Sequence, residues 1–174
     1  MATPHARIQG NPAARLTIFE YSDFQCPACA HIQPTVQRIL ELYKGKIRLV
    51  FKYYPLTMMH KNALGAAHAA QCAAEQNQFW PYGDELFAKQ TQWATLADPT
   101  TSFMAIAQDA KLDTVRYATC VADPSKEAII LADVQEGKAR QVSATPTFFV
   151  GDQRLLGGFF EADGARTIER ELRK

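Results

Sequence analysis

Residues 16–43 read LTIFEYSDFQCPACAHIQPTVQRILELY and contain the features that decide the fold. The run begins with Leu16-Thr17-Ile18-Phe19-Glu20-Tyr21, which is short, β-branched and aromatic, as is typical of a buried strand. After a Cys-x-x-Cys motif, apolar residues recur at helical spacing: Ile32, Val36, Ile39, Leu40 and Tyr43. The stretch therefore predicts a strand that leads through Cys26-Pro27-Ala28-Cys29 directly into an amphipathic helix.

The pattern on either side extends this unit. Gly45 is expected to end the helix, and residues 47–54 form a second apolar run that Pro55 stops. A strand, a helix and a second strand fit a right-handed parallel crossover. Pro34 lies inside the helical pattern and predicts a kink there. Residues 1–15, rich in Ala, Pro and Gly, are interpreted as an N-terminal arm.

Residues 61–140 differ in character, because they are Ala-rich and helical throughout. We expect four or five helices there, with N-caps at Asp98, Asp113 and Asp123 and with apolar side chains, Val115 among them, facing inward. Strands return only at 147–150 and 154–156, joined by a hairpin turn, and a last helix is expected over roughly 161–172. The predicted order is β-α-β, a long helical insertion, then β-β-α.

Composition excludes several classes of protein. A chain of 174 residues with 47% apolar and 21% charged residues is long enough for one globular domain with a real core. Its 19 basic and 18 acidic residues form no basic stripe, so no nucleic-acid partner is expected. No apolar run approaches the ~20 residues of a membrane span. The N-terminus lacks the pattern of an export signal, which fits either a cytoplasmic protein or an exported one whose signal has been removed.

The Cys-x-x-Cys motif suits thiol–disulfide exchange. The attacking species is a thiolate, and the unpaired N–H groups and dipole of a helix N-terminus stabilise an adjacent anion. Cys26 falls where the helix begins and is expected to be exposed and anionic, while Cys29 lies one turn inward, close enough to form a disulfide with it. The alternative is a zinc site that recruits His31. A zinc ribbon would need a second Cys-x-x-Cys or a paired-histidine motif, and the sequence has neither, so no metal or cofactor is expected.

Several stretches together resemble the DsbA-like branch of the thioredoxin superfamily. They are Gly10-Asn11-Pro12, the run from Phe19 through Cys29, Tyr54-Pro55-Leu56, Ala70-Gln71-Cys72-Ala73-Ala74-Glu75-Gln76 with Phe79-Trp80, and Thr145-Pro146-Thr147. The resemblance covers nearly the whole chain beyond residue 10. It implies an α/β thioredoxin fold formed by residues 16–60 and 141–174, with residues 61–140 as an inserted helical domain.

The resemblance also assigns roles to residues outside the motif. It implies a cis peptide bond at Thr145–Pro146 that faces Cys26 and exposes the Thr145 backbone to an extended substrate segment. The alternative is an ordinary trans proline at the start of an edge strand. It further implies that Glu20 is a buried carboxylate that takes or relays the proton of Cys29. The alternatives for Glu20 are that it faces solvent or that it pairs with Lys52 on the neighbouring strand.

Two cysteines remain outside the motif, Cys72 and Cys120, both on predicted helices of the insertion. Several DsbA-like proteins carry a second, structural disulfide in that domain, and the resemblance implies one here between Cys72 and Cys120. Such a bridge would favour an oxidising compartment. The alternative is a pair of buried free thiols that act as small hydrophobic residues.

The function implied by the resemblance is that of a monomeric oxidase that donates the Cys26–Cys29 disulfide to reduced or unfolded exported proteins. A membrane redox partner would reoxidise it. The implied location is periplasmic or otherwise extracytoplasmic, and the cytoplasm stays open. A disulfide reductase or isomerase of the same fold is one alternative. A redox-inert thioredoxin-like binding or chaperone module is another, although an intact Cys-x-x-Cys argues against it.

Overall fold

The computed structural model describes residues 5–174, and the first four residues of the predicted arm lie outside the described range. Its centre is a five-stranded sheet in the order β1-β3-β2-β4-β5. The strands are β1 (Ile8–Gly10), β2 (Leu16–Ser22), β3 (Ile47–Tyr53), β4 (Thr147–Val150) and β5 (Gln153–Leu156). Strands β2 and β3 are parallel, and the other neighbouring pairs are antiparallel.

The described range contains eight α-helices. They are α1 (Pro27–Leu42), α2 (Ala63–Ala74), α3 (Phe79–Ala88), α4 (Gln90–Trp93), α5 (Thr100–Asp109), α6 (Thr114–Val121), α7 (Glu127–Ala139) and α8 (Gly157–Leu172). Of these, α1, α7 and α8 contact the sheet. Short 3₁₀ turns occupy His5–Arg7 and Pro124–Lys126. Asp113 caps α6 as expected, since its carboxylate accepts hydrogen bonds from the backbone N–H groups of Val115 and Arg116.

The α/β thioredoxin-type arrangement follows from the alternation of side chains along β2. Leu16 and Ile18 point to one face, where they pack with apolar residues of α1 and α8 such as Val36 and Ile168. Tyr21 points to the other face and packs with Tyr54 and Phe149 beneath α7. Because every second residue of a strand faces the same side, the position of Glu20 relative to Leu16 and Ile18 already fixes its side chain toward α1.

The predicted arm is partly a strand. Ile8–Gly10 pairs antiparallel with β3 and forms one edge of the sheet. Arg7 anchors this segment, because its guanidinium pairs with the Asp133 carboxylate of α7 and lies 4.4 Å from the centroid of the Tyr53 ring. Three residues are too few for a periodic signal, so the composition of the arm concealed this strand.

Helix α7 lies against the sheet rather than with the other helices of the predicted insertion. Its Gly137 is so close to Tyr54 that a Cβ atom there would lie 2.6 Å from the ring. We therefore propose a helical segment narrower than 61–140, which ends at α6 and holds five α-helices. Val115 of α6 faces solvent, with 76% of its surface exposed, so its predicted inward position is wrong.

The second cysteine pair ties this helical part together. Cys72 of α2 and Cys120 of α6 form a disulfide across a sequence separation of 48 residues. Cys72 is fully buried among the alanines of α2. The bridge therefore fixes the packing of two helices that the backbone joins only through α3, α4 and α5.

Candidate active site

Cys26 lies at the N-terminal end of α1. It is the residue immediately before the helix, with extended backbone angles, and Pro27 occupies the first helical position. The Cys26 N–H donates to the Asp23 carbonyl at 3.0 Å, and the Cys26 carbonyl accepts from the N–H groups of Cys29 and Ala30. The sequence thus builds a helix start in which the sulfur lies beside the backbone N–H groups of the first turn.

These surroundings favour the anionic form of Cys26. Hydrogen bonds from the Cys29 thiol, from Thr145 and from the backbone N–H groups of Cys29 and Ala28 outweigh burial and lower the pKa of Cys26 to about 5. The side chain was expected to be exposed, but only 7% of the residue is accessible. The reason is that Cys26 belongs to the buried apolar cluster that includes residues of the helical segment, and its sulfur lies 3.5 Å from the Thr145 carbonyl oxygen.

Cys29 has the opposite character. It is fully buried, and burial together with the neighbouring Cys26 raises the pKa of its thiol well above the usual range. Both cysteines are free in this structure. A slightly accessible cysteine with a lowered pKa beside a fully buried cysteine with a raised pKa is the arrangement that disulfide exchange requires of its attacking and resolving groups.

The loop before β4 completes the wall of the site. The Thr145–Pro146 peptide bond is cis, and the Cys26 thiol lies 3.5 Å from the Thr145 carbonyl oxygen. The Pro146 carbonyl accepts a hydrogen bond from the Gly157 N–H at 3.0 Å. A Cβ atom at Gly157 would lie 2.8 Å from Pro146 Cγ, so only glycine fits at the start of α8.

Glu20 lies beneath the cysteines and is fully buried. Gln33 of α1 donates from Nε2 to Glu20 Oε1 at 3.2 Å and to the Cys29 carbonyl at 3.1 Å. Burial raises the pKa of Glu20 to about 7. A carboxyl group with this pKa can hold or release a proton near neutrality.

Lys52 does not reach Glu20. In the parallel register Glu20 is opposite Phe51 and Tyr21 is opposite Lys52, so the lysine points to the other face of the sheet. Its ammonium there binds Asp133 at 3.2 Å and Glu136 at 2.9 Å. These ion pairs attach α7 to the sheet. Among the described residues, the Glu20 carboxyl therefore has no cationic partner.

Two polar side chains that the sequence did not single out hold the active-site loop. Buried Asp23 accepts hydrogen bonds from the backbone N–H groups of Gln25 and Leu56, and its carboxylate lies 2.7 Å from His60 Nδ1. Gln90 of α4 donates from Nε2 to the carbonyls of Phe24 and Cys26 at 2.8 and 3.0 Å. Asp23 could have been suspected from its place beside the motif. Gln90, far downstream of the motif, carries no sequence signal.

The zinc alternative finds no support in the geometry. His31 is exposed on α1, and its nearest acidic partner is Glu161 at 3.9 Å. Within residues 5–174, no three His, Cys, Asp or Glu side chains are grouped so that they could hold a metal ion.

Exposed apolar side chains lie in two segments that are hydrogen-bonded to the active-site loops. Leu156 and Phe159 are 42% and 62% exposed and flank Gly157, which is bonded to Pro146. Met58 and Met59 are 98% and 76% exposed in the loop that Asp23 holds after β3. Large apolar side chains left in water beside a reactive sulfur are typical of a binding surface.

Comparison with known proteins places the chain in a family. The sequence profile described as Thioredoxin matches residues 2–170. Curated relatives include a Na(+)/H(+) antiporter NhaA 3 of Salinispora tropica, 36% identical over 152 residues, which covers 87% of this chain and 22% of that protein. Another is NhaA of Herminiimonas arsenicoxydans, 31% identical over 165 residues, or 95% and 25% of the two proteins. The chain thus spans about a quarter of the length of these relatives. No described helix has the length and apolar character to cross a membrane.

Solved structures of similar fold include BdbD from Bacillus subtilis, with a TM-score of 0.86 and 21% identity over 97% of this chain and 93% of that one. A variant of alpha-DsbA1 from Wolbachia pipientis has a TM-score of 0.84 and 20% identity over 99% and 94%. A periplasmic thioredoxin-like protein from Salmonella enterica has a TM-score of 0.79 and 20% identity over 96% and 90%. The chain belongs to the thioredoxin family and has the fold of its DsbA-like members.

Proposed function

We propose that this chain is a protein thiol–disulfide oxidoreductase that donates the Cys26–Cys29 disulfide to reduced proteins. The observation that carries the proposal is the asymmetry of the two sulfurs. The pKa of Cys26 is lowered to about 5 at the start of α1, whereas that of buried Cys29 is raised. Stabilising the Cys26 thiolate stabilises the reduced form of the pair, which makes the disulfide the better oxidant.

The direction of exchange follows from the same stabilisation. A substrate thiolate attacks Cys26 Sγ of the disulfide, Cys29 leaves, and a mixed disulfide joins the substrate to Cys26. A second substrate thiolate then attacks the substrate sulfur, and Cys26 leaves as a stable anion. The substrate gains a disulfide and the chain becomes a dithiol, so an oxidant is needed to restore its disulfide, and we propose a membrane redox partner for this role.

The surroundings of the sulfur support an unfolded protein as the substrate. The Thr145 carbonyl beside Cys26 offers a backbone acceptor to an extended segment, which is how strand addition recognises peptides without regard to sequence. Exposed Leu156 and Phe159 on one side and Met58 and Met59 on the other add apolar contacts. These features support the proposed substrate roles of Thr145 and Pro146.

An oxidising compartment is proposed as the place of action. The Cys72–Cys120 bridge supports this, since such bonds persist outside the cytoplasm and are rare within it. The matched segment makes up 22 to 26% of the length of the relatives named as antiporters. The redox proposal concerns that segment alone.

Oxidative refolding of reduced, unfolded ribonuclease A tests the proposal. The oxidised chain should restore ribonuclease activity stoichiometrically, and catalytically when a glutathione disulfide buffer is added. The Cys26→Ser variant should restore none. If the chain instead reduces insulin rapidly with dithiothreitol but leaves reduced ribonuclease untouched, it acts as a reductase and the oxidase proposal is wrong.

A further inference from the structure

We propose that the hydroxyl of Ser22 relays the proton between Cys29 and Glu20 during disulfide exchange. The inference deepens the proposed function and rests on it, because it concerns the proton balance of the same cysteine pair. Ser22 is the last residue of β2, shortly before Cys26 in the chain. Neither the Cys-x-x-Cys spacing nor the family profile assigns it a role.

Placement of the three groups is set by β2 and α1. Glu20 and Ser22 alternate with Tyr21, so both side chains face α1, and they are 0% and 1% exposed. Cys29, at the first turn of that helix, is also fully buried. Gln33 fixes the carboxyl beneath this turn, because its amide binds both Glu20 Oε1 and the Cys29 carbonyl.

Two polar atoms in this space lack partners. Among the described residues, neither Ser22 Oγ nor Glu20 Oε2 has a partner at full hydrogen-bonding geometry, although both are buried. An unpaired buried polar group destabilises the fold, so two at one site call for an explanation. Ser22 nevertheless lies close enough to lower the pKa of both the Glu20 carboxyl and the Cys29 thiol, against the larger effect of burial. We infer that its hydrogen bonds are completed when the charge on Cys29 changes.

The proton balance gives the hydroxyl its role. When a thiolate attacks Cys26 Sγ, the S–S bond breaks and Cys29 leaves with the electron pair as a thiolate. Ser22 donates its hydroxyl proton to Cys29 Sγ and accepts the carboxyl proton of Glu20, since a hydroxyl can donate and accept at once. The net change is one proton moved from Glu20 to Cys29. Reoxidation moves it back and leaves Cys29 as the attacking thiolate.

Other routes for this proton are few. The strands on either side of β2 place Phe51 and Phe148 opposite Glu20, and neither ring carries a proton donor. Lys52 points to the opposite face of the sheet. The titratable groups on the side of Glu20 include the two active-site cysteines and, across the cleft lined by Gln33, Asp84 of α3. Tyr53 lies opposite Ser22 on the same face, but its hydroxyl donates to Gln71 Oε1 at 3.3 Å. Asp84 lines that cleft, and we assign the relay to Ser22 because it shares the α1-facing side of β2 with Glu20.

The rate at which glutathione reduces the Cys26–Cys29 disulfide tests the relay. Rates are measured between pH 5 and 9, and each is corrected for the fraction of glutathione present as thiolate. Acid quenching, alkylation and mass spectrometry follow each reaction. Ser22→Ala should slow the reaction at least about tenfold, a threshold set one order of magnitude below the roughly 100-fold at which general acid–base contributions typically begin. The wild-type rate is expected to fall as pH rises through about 7, where Glu20 loses its proton, and Ser22→Ala should remove this fall.

Three further comparisons separate a relay from a packing effect. Ser22→Thr keeps a hydroxyl and should retain the rate within about threefold, together with the pH profile. Thr167→Val removes a different buried hydroxyl, on α8, and should change neither. The Cys29→Ser variant has no thiol at this position to receive the proton. Adding Ser22→Ala to it should therefore leave the rate of Cys26 alkylation unchanged.

The relay is wrong if Ser22→Ala reacts with the wild-type rate and pH profile. It is equally wrong if Ser22→Thr, folded by near-ultraviolet circular dichroism, is as slow as Ser22→Ala. These results leave the proposed function intact, because ribonuclease oxidation by the wild type measures that separately. A wild-type disulfide that does not react with glutathione at all would overturn both.

Discussion

Reduction of the Cys72–Cys120 disulfide is expected to destabilise the fold by about 4 kcal/mol. The bridge closes a loop across a sequence separation of 48 residues. In the chain-entropy model, opening such a loop in the unfolded state lowers the free energy of unfolding by about 4 kcal/mol at 25 °C. At about 2.1 cal/mol/K of unfolding entropy per residue, a chain of 174 residues would lose about 11 °C in Tm.

The measurement needs a background without the active-site pair, so that only one disulfide changes. The Cys26→Ser/Cys29→Ser variant can be unfolded by guanidinium before and after reduction with a phosphine. The two forms differ only in the bridge and the two hydrogens, so no cavity is introduced. A difference below about 1 kcal/mol would refute the loop-entropy reasoning and would mean that packing between α2 and α6 already restricts the unfolded chain.

The remaining predictions concern the groups around Cys26. Glu20→Gln should raise the free energy of unfolding at pH 8 by on the order of 3 kcal/mol. The reason is that the folded-state pKa of Glu20, about 7, lies above the ordinary value of 4.5, so the wild type loses stability as pH rises through that window. At pH 4, chemical denaturation should give no difference between variant and wild type. Thr145→Val should raise the pKa of Cys26, since the threonine is among the hydrogen-bonding groups that lower it; thiolate absorbance against pH measures the shift, and unchanged titration would assign the effect to the helix start alone. Ala28→His should lower the pKa of Cys26 and make the disulfide more oxidising, because an imidazole offers a hydrogen bond or positive charge that a methyl group cannot; equilibrium with glutathione gives the potential, and an equal or lower potential would contradict the reasoning.

The sequence predicted the parts of the site that depend on local order. The buried run 16–21, the helix that begins after Cys26 and the hairpin near 151 are all continuous stretches with a clear period or turn signal. The helix continues through Pro34 as the apolar spacing required. Cys72 and Cys120 meet as a pair, an outcome that resemblance suggested and that local pattern alone left open.

What the sequence did not reveal depends on contacts between distant elements. The outward position of Lys52 follows from the parallel register of β2 and β3, which fixes which residues share a face. Gln90 reaches the Cys26 carbonyl only because α4 folds back over the loop. The edge strand Ile8–Gly10 is too short to carry a pattern. Ser22 has the character of an ordinary strand end until its burial beside Cys29 is known.

The most direct test of the account is the pH dependence of alkylation at each cysteine of the reduced chain. Short pulses of iodoacetamide between pH 3 and 10, followed by peptide mapping, give the rate at Cys26 and at Cys29 separately. Cys26 should react with a midpoint near pH 5, and Cys29 should stay unmodified while the chain is folded. A midpoint near 9 at Cys26, or earlier modification of Cys29, would contradict it.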